Sequence, residues 1–256
     1  MDKIVAKKKF GQNFLKDEHV LRQIIEAMPN TSNSLVEIGP GLGDLTKYLV
    51  DVRGLTAFEV DTDLCKHLNE RFKTLIKEDK LQLHCGDVLK SWDDNLVDED
   101  YDLVANLPYY IATNIILRAL ADEKCKNLLV MVQLEVAKKF AANAGEKNFG
   151  ALGIITQSVG TASIVIDVPP TAFDPAPKVD SAVLLIQKSK SRSDREFEQM
   201  LSYAFTQPRK TLLKNLSSHF DKALITKALE EMELPLTYRP HQLTTEGFHQ
   251  LYKKIT

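Results

Sequence analysis

The sequence predicts an α/β fold: a doubly wound domain over residues 1–187, followed by a small all-helical C-terminal domain over 194–256. Three observations carry that expectation. Short apolar runs alternate with helical periodicities through the first part of the chain, as parallel strands joined by crossover helices require. An early run passes directly into a glycine-rich turn that opens a helix. A polar stretch without apolar residues, Lys188-Ser189-Lys190-Ser191-Arg192-Ser193, then separates this part from a tail that reads as helix only.

The elements follow in order. After the basic start and the turn Phe10-Gly11-Gln12-Asn13-Phe14-Leu15, a helix begins at Asp17, with Val20, Leu21, Ile24, Ile25 and Met28 at helical spacing and Pro29 beyond its end. Residues 35–38 form a strand that enters Gly39-Pro40-Gly41-Leu42-Gly43, where glycines let a ligand approach the backbone and the next helix offers free N–H groups. The strand 55–60 carries Glu59 twenty residues after Gly39, where a ribose hydroxyl pair would be held; an exposed acid capping the helix near Asp61 is the equal alternative. A third strand, 81–85, closes on Gly86-Asp87-Val88-Leu89. Asp87 there suits an adenine amino group, with Val88 and Leu89 over the ring, unless it is a plain turn aspartate.

The fourth strand, 101–105, ends in Asn106-Leu107-Pro108-Tyr109, and the fifth, 128–133, is almost continuously apolar, as a sheet covered on both faces demands. Helices are expected over 63–75, 113–121, 135–144 and 151–159. A β-branched strand at 163–168 precedes four prolines in the nine residues 169–177, a stiff segment that would hold Phe173 opposite Tyr109. The strand 182–187 is expected to return antiparallel at the sheet edge. The tail reads as helices over 194–205, 209–218, 222–232 and 244–254, with His241 and His249 as surface residues.

Bulk composition narrows the function. At 256 residues the chain can bury a full core, and 44% hydrophobic with 27% charged residues is ordinary for a soluble globular protein. A net charge of −2 gives no global attraction to nucleic acid, so RNA contacts fall to local patches: Lys7-Lys8-Lys9, and Arg209-Lys210 with Lys214. Either patch alone reads first as a solvated face. The three cysteines are odd in number and lack a CxxC, which argues against a disulfide framework and against a metal site. No apolar run approaches the ~20 residues of a membrane span, and the amino terminus has no apolar block after its lysines. A cytoplasmic monomer without a membrane partner is expected.

Asn106-Leu107-Pro108-Tyr109 is the stretch on which chemistry converges. Proline donates no N–H and holds Leu107 extended, so the Asn106 side-chain oxygen and the Leu107 carbonyl stand beside the Tyr109 ring. Two acceptors and a flat face suit adenine, whose amino N–H groups they bind while the ring stacks. Taken alone, the stretch is more often a strand ending in a proline turn. The glycine turn with Glu59 fits a dinucleotide or S-adenosylmethionine equally; a hydride-transfer enzyme would also need a proton donor or zinc, for which no fitting cluster exists.

Seven stretches, FGQNFL, VEIGPGLGDLT, the strand-ending Glu59, GDVL, NLPY, VPPTAFDPAPKVDSAV and FTQPRKTLLKNL, occur in the order seen in the small-subunit (16S) ribosomal RNA adenine N6,N6-dimethyltransferases. The chain resembles a bacterial member of that family over residues 10 to 216. The resemblance implies a Rossmann-like, S-adenosylmethionine-dependent methyltransferase domain. It implies dimethylation of two adjacent adenines in a hairpin loop near the 3′ end of the RNA, within an immature small ribosomal subunit. Carried onto this chain, Asn13, Leu15, Gly39, Glu59, Asp87 and Asn106 line the donor pocket, joined by Gly41 and Val88 from the turn readings. Asn106, Leu107, Pro108, Tyr109 and Phe173 face the target base, and Arg209 and Lys210 touch RNA backbone, as would Lys7, Lys8 and Lys9.

Departures from the family pattern are Tyr110-Ile111-Ala112-Thr113, where many relatives carry Asn-Ile-Ser-Thr, and Pro208, where a second arginine is usual. Thr113 can still cap the next helix. The competing readings are a large-subunit RNA adenine methyltransferase of the antibiotic-resistance type, which a near-neutral chain disfavours, a ribosome assembly factor whose binding role outweighs catalysis, and an NAD-dependent oxidoreductase.

Overall fold

A computed structural model of the protein describes residue 7, residues 12–190 and residues 194–256. Lys8, Lys9, Phe10 and Gly11, named above, lie outside the described residues, as do 191–193. The strands are β1 (Phe14–Leu15), β2 (Ser34–Ile38), β3 (Leu55–Glu59), β4 (Leu81–Cys85), β5 (Tyr101–Asn106), β6 (Cys125–Gln133), β7 (Gly160–Val168), β8 (Phe173–Asp174) and β9 (Ser181–Lys188). The helices are α1 (Glu18–Glu26), α2 (Thr46–Val52), α3 (Thr62–Arg71), α4 (Lys73–Lys77), α5 (Val88–Ser91), α6 (Ala112–Ala121), α7 (Leu134–Ala141), α8 (Ala151–Val159), α9 (Arg195–Ala204), α10 (Leu212–Leu216), α11 (Lys222–Glu231) and α12 (Thr245–Ile255).

Seven strands form one sheet in the order β4-β3-β2-β5-β6-β9-β7, and β1 pairs with β8 in a separate ribbon. From β4 to β6 every neighbouring pair is parallel. The chain moves outward from β2 to β3 and β4, then returns to β5 on the other side of β2. That reversal opens a crevice beyond the carboxyl ends of β2 and β5, the place where open α/β sheets bind ligands. The continuous apolar runs of β5 and β6 are buried on successive residues, so both faces of the sheet centre are covered.

β9 is antiparallel to β6, yet it lies inside the sheet and β7 forms the edge, which corrects the expected edge position of 182–187. The reason is visible in the side chains. Ala182, Val183, Leu184 and Ile186 are fully buried, whereas β7 alternates exposed and half-buried positions along GTASIVID, a pattern suited to an outer strand.

Capping explains several helix starts. Asp17 accepts from the backbone N–H of His19 and Val20, Asp61 from Asp63, Asp194 from Phe197, and Asp221 from Ala223 and Leu224. Thr113 does not cap α6: the helix starts at Ala112 with Ile111 as N-cap and no side-chain bond there. Gly43 is fixed by packing as well as by backbone. Its φ is +83°, and a Cβ would stand 2.5 Å from Phe72 Cε2. Gly43→Ala is therefore expected to destabilise the fold by about 2–3 kcal/mol, read as a lower midpoint in denaturant unfolding.

The cysteines overturn an expectation. Cys65, in α3, and Cys85, at the end of β4, form a disulfide with a Cα–Cα separation of 6.0 Å, while Cys125 is free and buried. Their separation of twenty residues runs through α3, α4 and β4, which returns Cys85 to the end of the sheet where α3 begins; no short cysteine motif signals this.

The chain divides into two compact units, one comprising 1–137 and 161–191, the other 138–160 and 192–256. Where composition assigned all of 1–187 to one domain, packing sorts 138–160 with the C-terminal helices. α8 is tied to α12 through Ser158 and His249 at 2.7 Å and through Thr245 Oγ1 and Gln157 at 2.5 Å. His249 also stacks on Phe197 with ring centroids 4.2 Å apart, so it pins helices together and is no free surface residue. Phe197, Met200, Leu201, Leu212, Leu216, Ile225, Leu229, Phe248 and Leu251 fill this second core.

Candidate active site

The carboxyl ends of β2, β3, β4 and β5 surround a cavity of about 260 Å³. It is lined by every donor-pocket residue expected from the sequence, Asn13, Leu15, Gly39, Gly41, Glu59, Asp87, Val88 and Asn106, and by Leu107, Pro108 and Tyr109. Strand alternation with helices puts the four turns side by side; the chemistry of each turn comes from its own residues.

The glycine turn leaves β2 with Gly39 at φ +74° and Gly41 at φ +62°. A Cβ on Gly41 would sit 3.1 Å from the Phe14 ring, so glycine lets the N-terminal segment lie directly on the turn. Glu59 is 4% exposed, and its two oxygens accept from Gly41 N–H at 3.1 Å and Asp61 N–H at 2.9 Å. It is therefore an inward-facing acid and not the exposed helix cap that was its alternative; Asp61 caps α3. Burial pushes the Glu59 carboxyl up, and the bonds from the Asp61 and Gly41 backbones oppose that shift. Asp87 lines the cavity and also caps α5, accepting from Leu89 N–H at 3.1 Å.

The loop after β5 is fixed at three points. Asn106 Nδ2 donates to the Asn13 carbonyl at 3.2 Å, Leu107 N–H donates to the Met131 carbonyl at 3.1 Å, and the Tyr109 hydroxyl lies 2.6 Å from Ser181 Oγ. The first bond settles the Asn106 amide, because a carbonyl can face only its nitrogen. Oδ1 remains as the side-chain acceptor. Burial raises the Tyr109 hydroxyl above its ordinary pKa, opposed by the Ser181 bond.

Two expected site residues stand elsewhere. Phe173 is 6% exposed, outside the cavity wall, and packs in the core with Leu15, Ala172, Val168 and Val183. The cause is the ribbon, in which Phe173 pairs with Leu15 and Phe14 with Asp174; it buries Phe173 and leaves the Phe14 ring at the cavity. Lys7 is engaged by carboxylates: its ammonium lies 2.6 Å from Asp61 and 2.6 Å from Asp63. Those two acids raise the Lys7 pKa. Burial pushes Asp61 up, but the bonds from Lys7 and Gln12 outweigh it and hold the carboxyl low. Arg209 and Lys210 are exposed, on a turn that precedes α10 and is held by Asn215, whose side chain bonds both the N–H and the carbonyl of Gln207 at 3.0 and 3.1 Å.

Sequence reasoning missed Glu37, Phe14, Gln12 and Tyr110, all in the cavity wall. Glu37 is 1% exposed and accepts from Thr46 Oγ1 at 2.7 Å; burial, with the like charge of Glu59, pushes its carboxyl up to about 8. An acid inside an apolar strand immediately before a glycine turn was its available signal. Tyr110, one of the departures from the family pattern, is 59% exposed beside the cavity, and Ala112, another, is fully buried. Among the described residues no group of three His, Cys, Asp or Glu side chains comes together as a metal would need.

Comparison with known proteins agrees with this geometry. A family model described as ribosomal RNA adenine dimethylase matches residues 4–256. Ribosomal RNA small subunit methyltransferase A of Sulfurimonas denitrificans is 68% identical over 253 residues, covering 99% of this chain and 95% of the relative. The protein of the same name from Aliarcobacter butzleri is 51% identical over 259 residues, with 100% and 98% covered. A dimethyladenosine transferase from Plasmodium falciparum has a similar structure, with a TM-score of 0.78, 24% identity, and 94% of this chain and 98% of that one covered. The 23S rRNA methyltransferase ErmE gives 0.70, 23%, 95% and 99%; at these identities the two structures establish the fold alone. With a family model spanning nearly the whole chain and relatives above half identity, this chain belongs to the ribosomal RNA adenine dimethylase family.

Proposed function

We infer that the chain transfers methyl groups from S-adenosylmethionine to the N6 nitrogens of two adjacent adenines in the 3′-terminal hairpin loop of 16S rRNA. The observation that carries this reading is one cavity in which the glycine turn and Glu59 face the fixed loop Asn106–Tyr109. The small-subunit names of the close relatives favour it over a large-subunit RNA target.

The residues present fit the donor. Glu59, inward-facing and already aligned by two backbone N–H groups, has lone pairs left for ribose hydroxyls. Asp87, Val88 and Leu89 offer an acceptor beside apolar cover for adenine, and the turn Gly39–Gly41 has no side chains to block the methionine portion. When bound, the sulfonium supplies an electrophilic methyl group. The chain's own part is to bind, orient and desolvate. Asn106 Oδ1 and the Leu107 carbonyl accept the N–H groups of the target nitrogen, whose lone pair is otherwise delocalised into the ring. As positive charge develops there, two fixed acceptors stabilise it without reorganising. The Tyr109 ring stacks on the base and offsets part of the cost of leaving its own stack.

Arg209 and Lys210, exposed on the Asn215-held turn, bind RNA phosphates. Replacing both with alanine is expected to weaken RNA binding and to lower the slope of log affinity against log salt by about one to two, since each phosphate contact contributes roughly one. The substrate is an immature small subunit and the enzyme acts as a cytoplasmic monomer. No helix among the described residues is long and apolar enough to cross a membrane. The decisive experiment is radiolabelled methyl transfer to small subunits lacking the modification and, in parallel, to large-subunit RNA, with the product nucleoside identified. Dimethyladenosine in small-subunit RNA supports the reading; label confined to large-subunit RNA, or no label, overturns it.

A further inference from the structure

Ser181 opens β9, is fully buried, and stands at the head of the apolar run Ala182–Ile186. A hydroxyl in such a place is unfavourable unless it is bonded, and alanine would fill the strand equally well. Its bond goes to the candidate site: Ser181 Oγ lies 2.6 Å from the Tyr109 hydroxyl. The neighbouring strand supports the same loop. Ser181 pairs in register with Gln133 on β6, and two residues earlier Met131 receives the Leu107 N–H. The loop that carries the two proposed acceptors is thus tied to β6 by its backbone and to β9 by its aromatic tip. A tyrosine ring alone can swing about its χ1 bond; tethered at its hydroxyl, it stays at one place in the site.

We propose that Ser181 is a positioning residue for methyl transfer, holding the Tyr109 ring at the place where the target adenine stacks. The inference rests on the function proposed above. It also assigns a role to the KVDSAV stretch, whose serine touches neither the glycine turn nor the donor acids. Ser181 acts through Tyr109, so its removal should disturb base capture and the rate while leaving the donor pocket alone.

The test is a double-mutant cycle of Ser181→Ala and Tyr109→Phe, with Tyr109→Ala as reference. Three quantities are read for each: single-turnover methylation rate, S-adenosylmethionine affinity, and fluorescence of RNA carrying 2-aminopurine at the target position. Ser181→Ala is expected to slow transfer by about three- to tenfold, the range of one neutral hydrogen bond, and to lower the fluorescence response, with donor affinity unchanged. Tyr109→Phe should lose as much or more, because it leaves a buried Ser181 hydroxyl unpartnered. The double variant should be no worse than Tyr109→Phe, and Ser181→Thr, which keeps the hydroxyl, should recover part of the rate. A wild-type rate in Ser181→Ala beside an inactive Tyr109→Ala overturns the proposal and leaves the proposed function standing. Losses that multiply in the double variant, or an equal loss of donor affinity, overturn it too. A fully active Tyr109→Ala removes both readings together.

Discussion

Asn106→Ala should slow methyl transfer by about a hundredfold at saturating RNA and donor, because removing one fixed partner of the charge that develops in the transition state costs about 3 kcal/mol. The size follows from how the side chain is held. Its amide nitrogen is bonded to the Asn13 carbonyl, so its oxygen is oriented before any substrate arrives. Alanine removes that oxygen together with the bond to the Asn13 carbonyl. Asn106→Asp is expected to do no better: a carboxylate keeps an acceptor but has no N–H for Asn13, and two oxygens would then face each other. Single-turnover rates, with donor affinity measured separately by calorimetry, separate these effects. An Asn106→Ala enzyme methylating at the wild-type rate would falsify the site as drawn.

What the sequence disclosed and what it hid divide along physical lines. The turns that end β2, β3, β4 and β5 were legible because each carries residues an ordinary turn does not need, such as three glycines in five positions or an asparagine before Leu-Pro-Tyr. Parallel topology then obliges them to meet, and all eleven residues expected in the donor pocket and the Asn106–Tyr109 loop do line one cavity. The burial of Phe173 away from the cavity wall was not legible, because a proline-rich segment says that a side chain is held rigidly without saying which way it faces. That direction was set by pairing between β8 and β1, two-residue strands too short to leave a periodicity. The carboxylate partners of Lys7 were hidden for a related reason: a charge run is read from its neighbours in sequence, and Asp61 and Asp63 are more than fifty residues away. The place of β9 inside the sheet is written in its unbroken apolar run, against the alternating pattern of β7.

Glu37 carries the largest expected effect on stability. Its carboxyl is 1% exposed, and burial holds its pKa at about 8 against an ordinary 4.5. A raised carboxyl pKa means that between those two values the folded state binds a proton the unfolded state has released. Stability contributed by that proton is complete below the unfolded pKa and is lost as pH rises toward 8. The wild-type chain should therefore lose up to about 5 kcal/mol from this group across that window, at 1.36 kcal/mol per pKa unit, and little more above it. Glu37→Gln cannot ionise, while its amide oxygen can still accept from Thr46 Oγ1, the bond seen at 2.7 Å. Near pH 5 the variant should be equal to or slightly less stable than wild type, because the new NH2 needs a partner in a buried place. At pH 9 the order reverses and glutamine becomes the more stable residue. Urea unfolding midpoints at pH 5, 7 and 9 measure the change directly. A gap between the two proteins that stays constant over that range would mean that Glu37 is ionised throughout, and that the Thr46 bond outweighs both its burial and the like charge of Glu59.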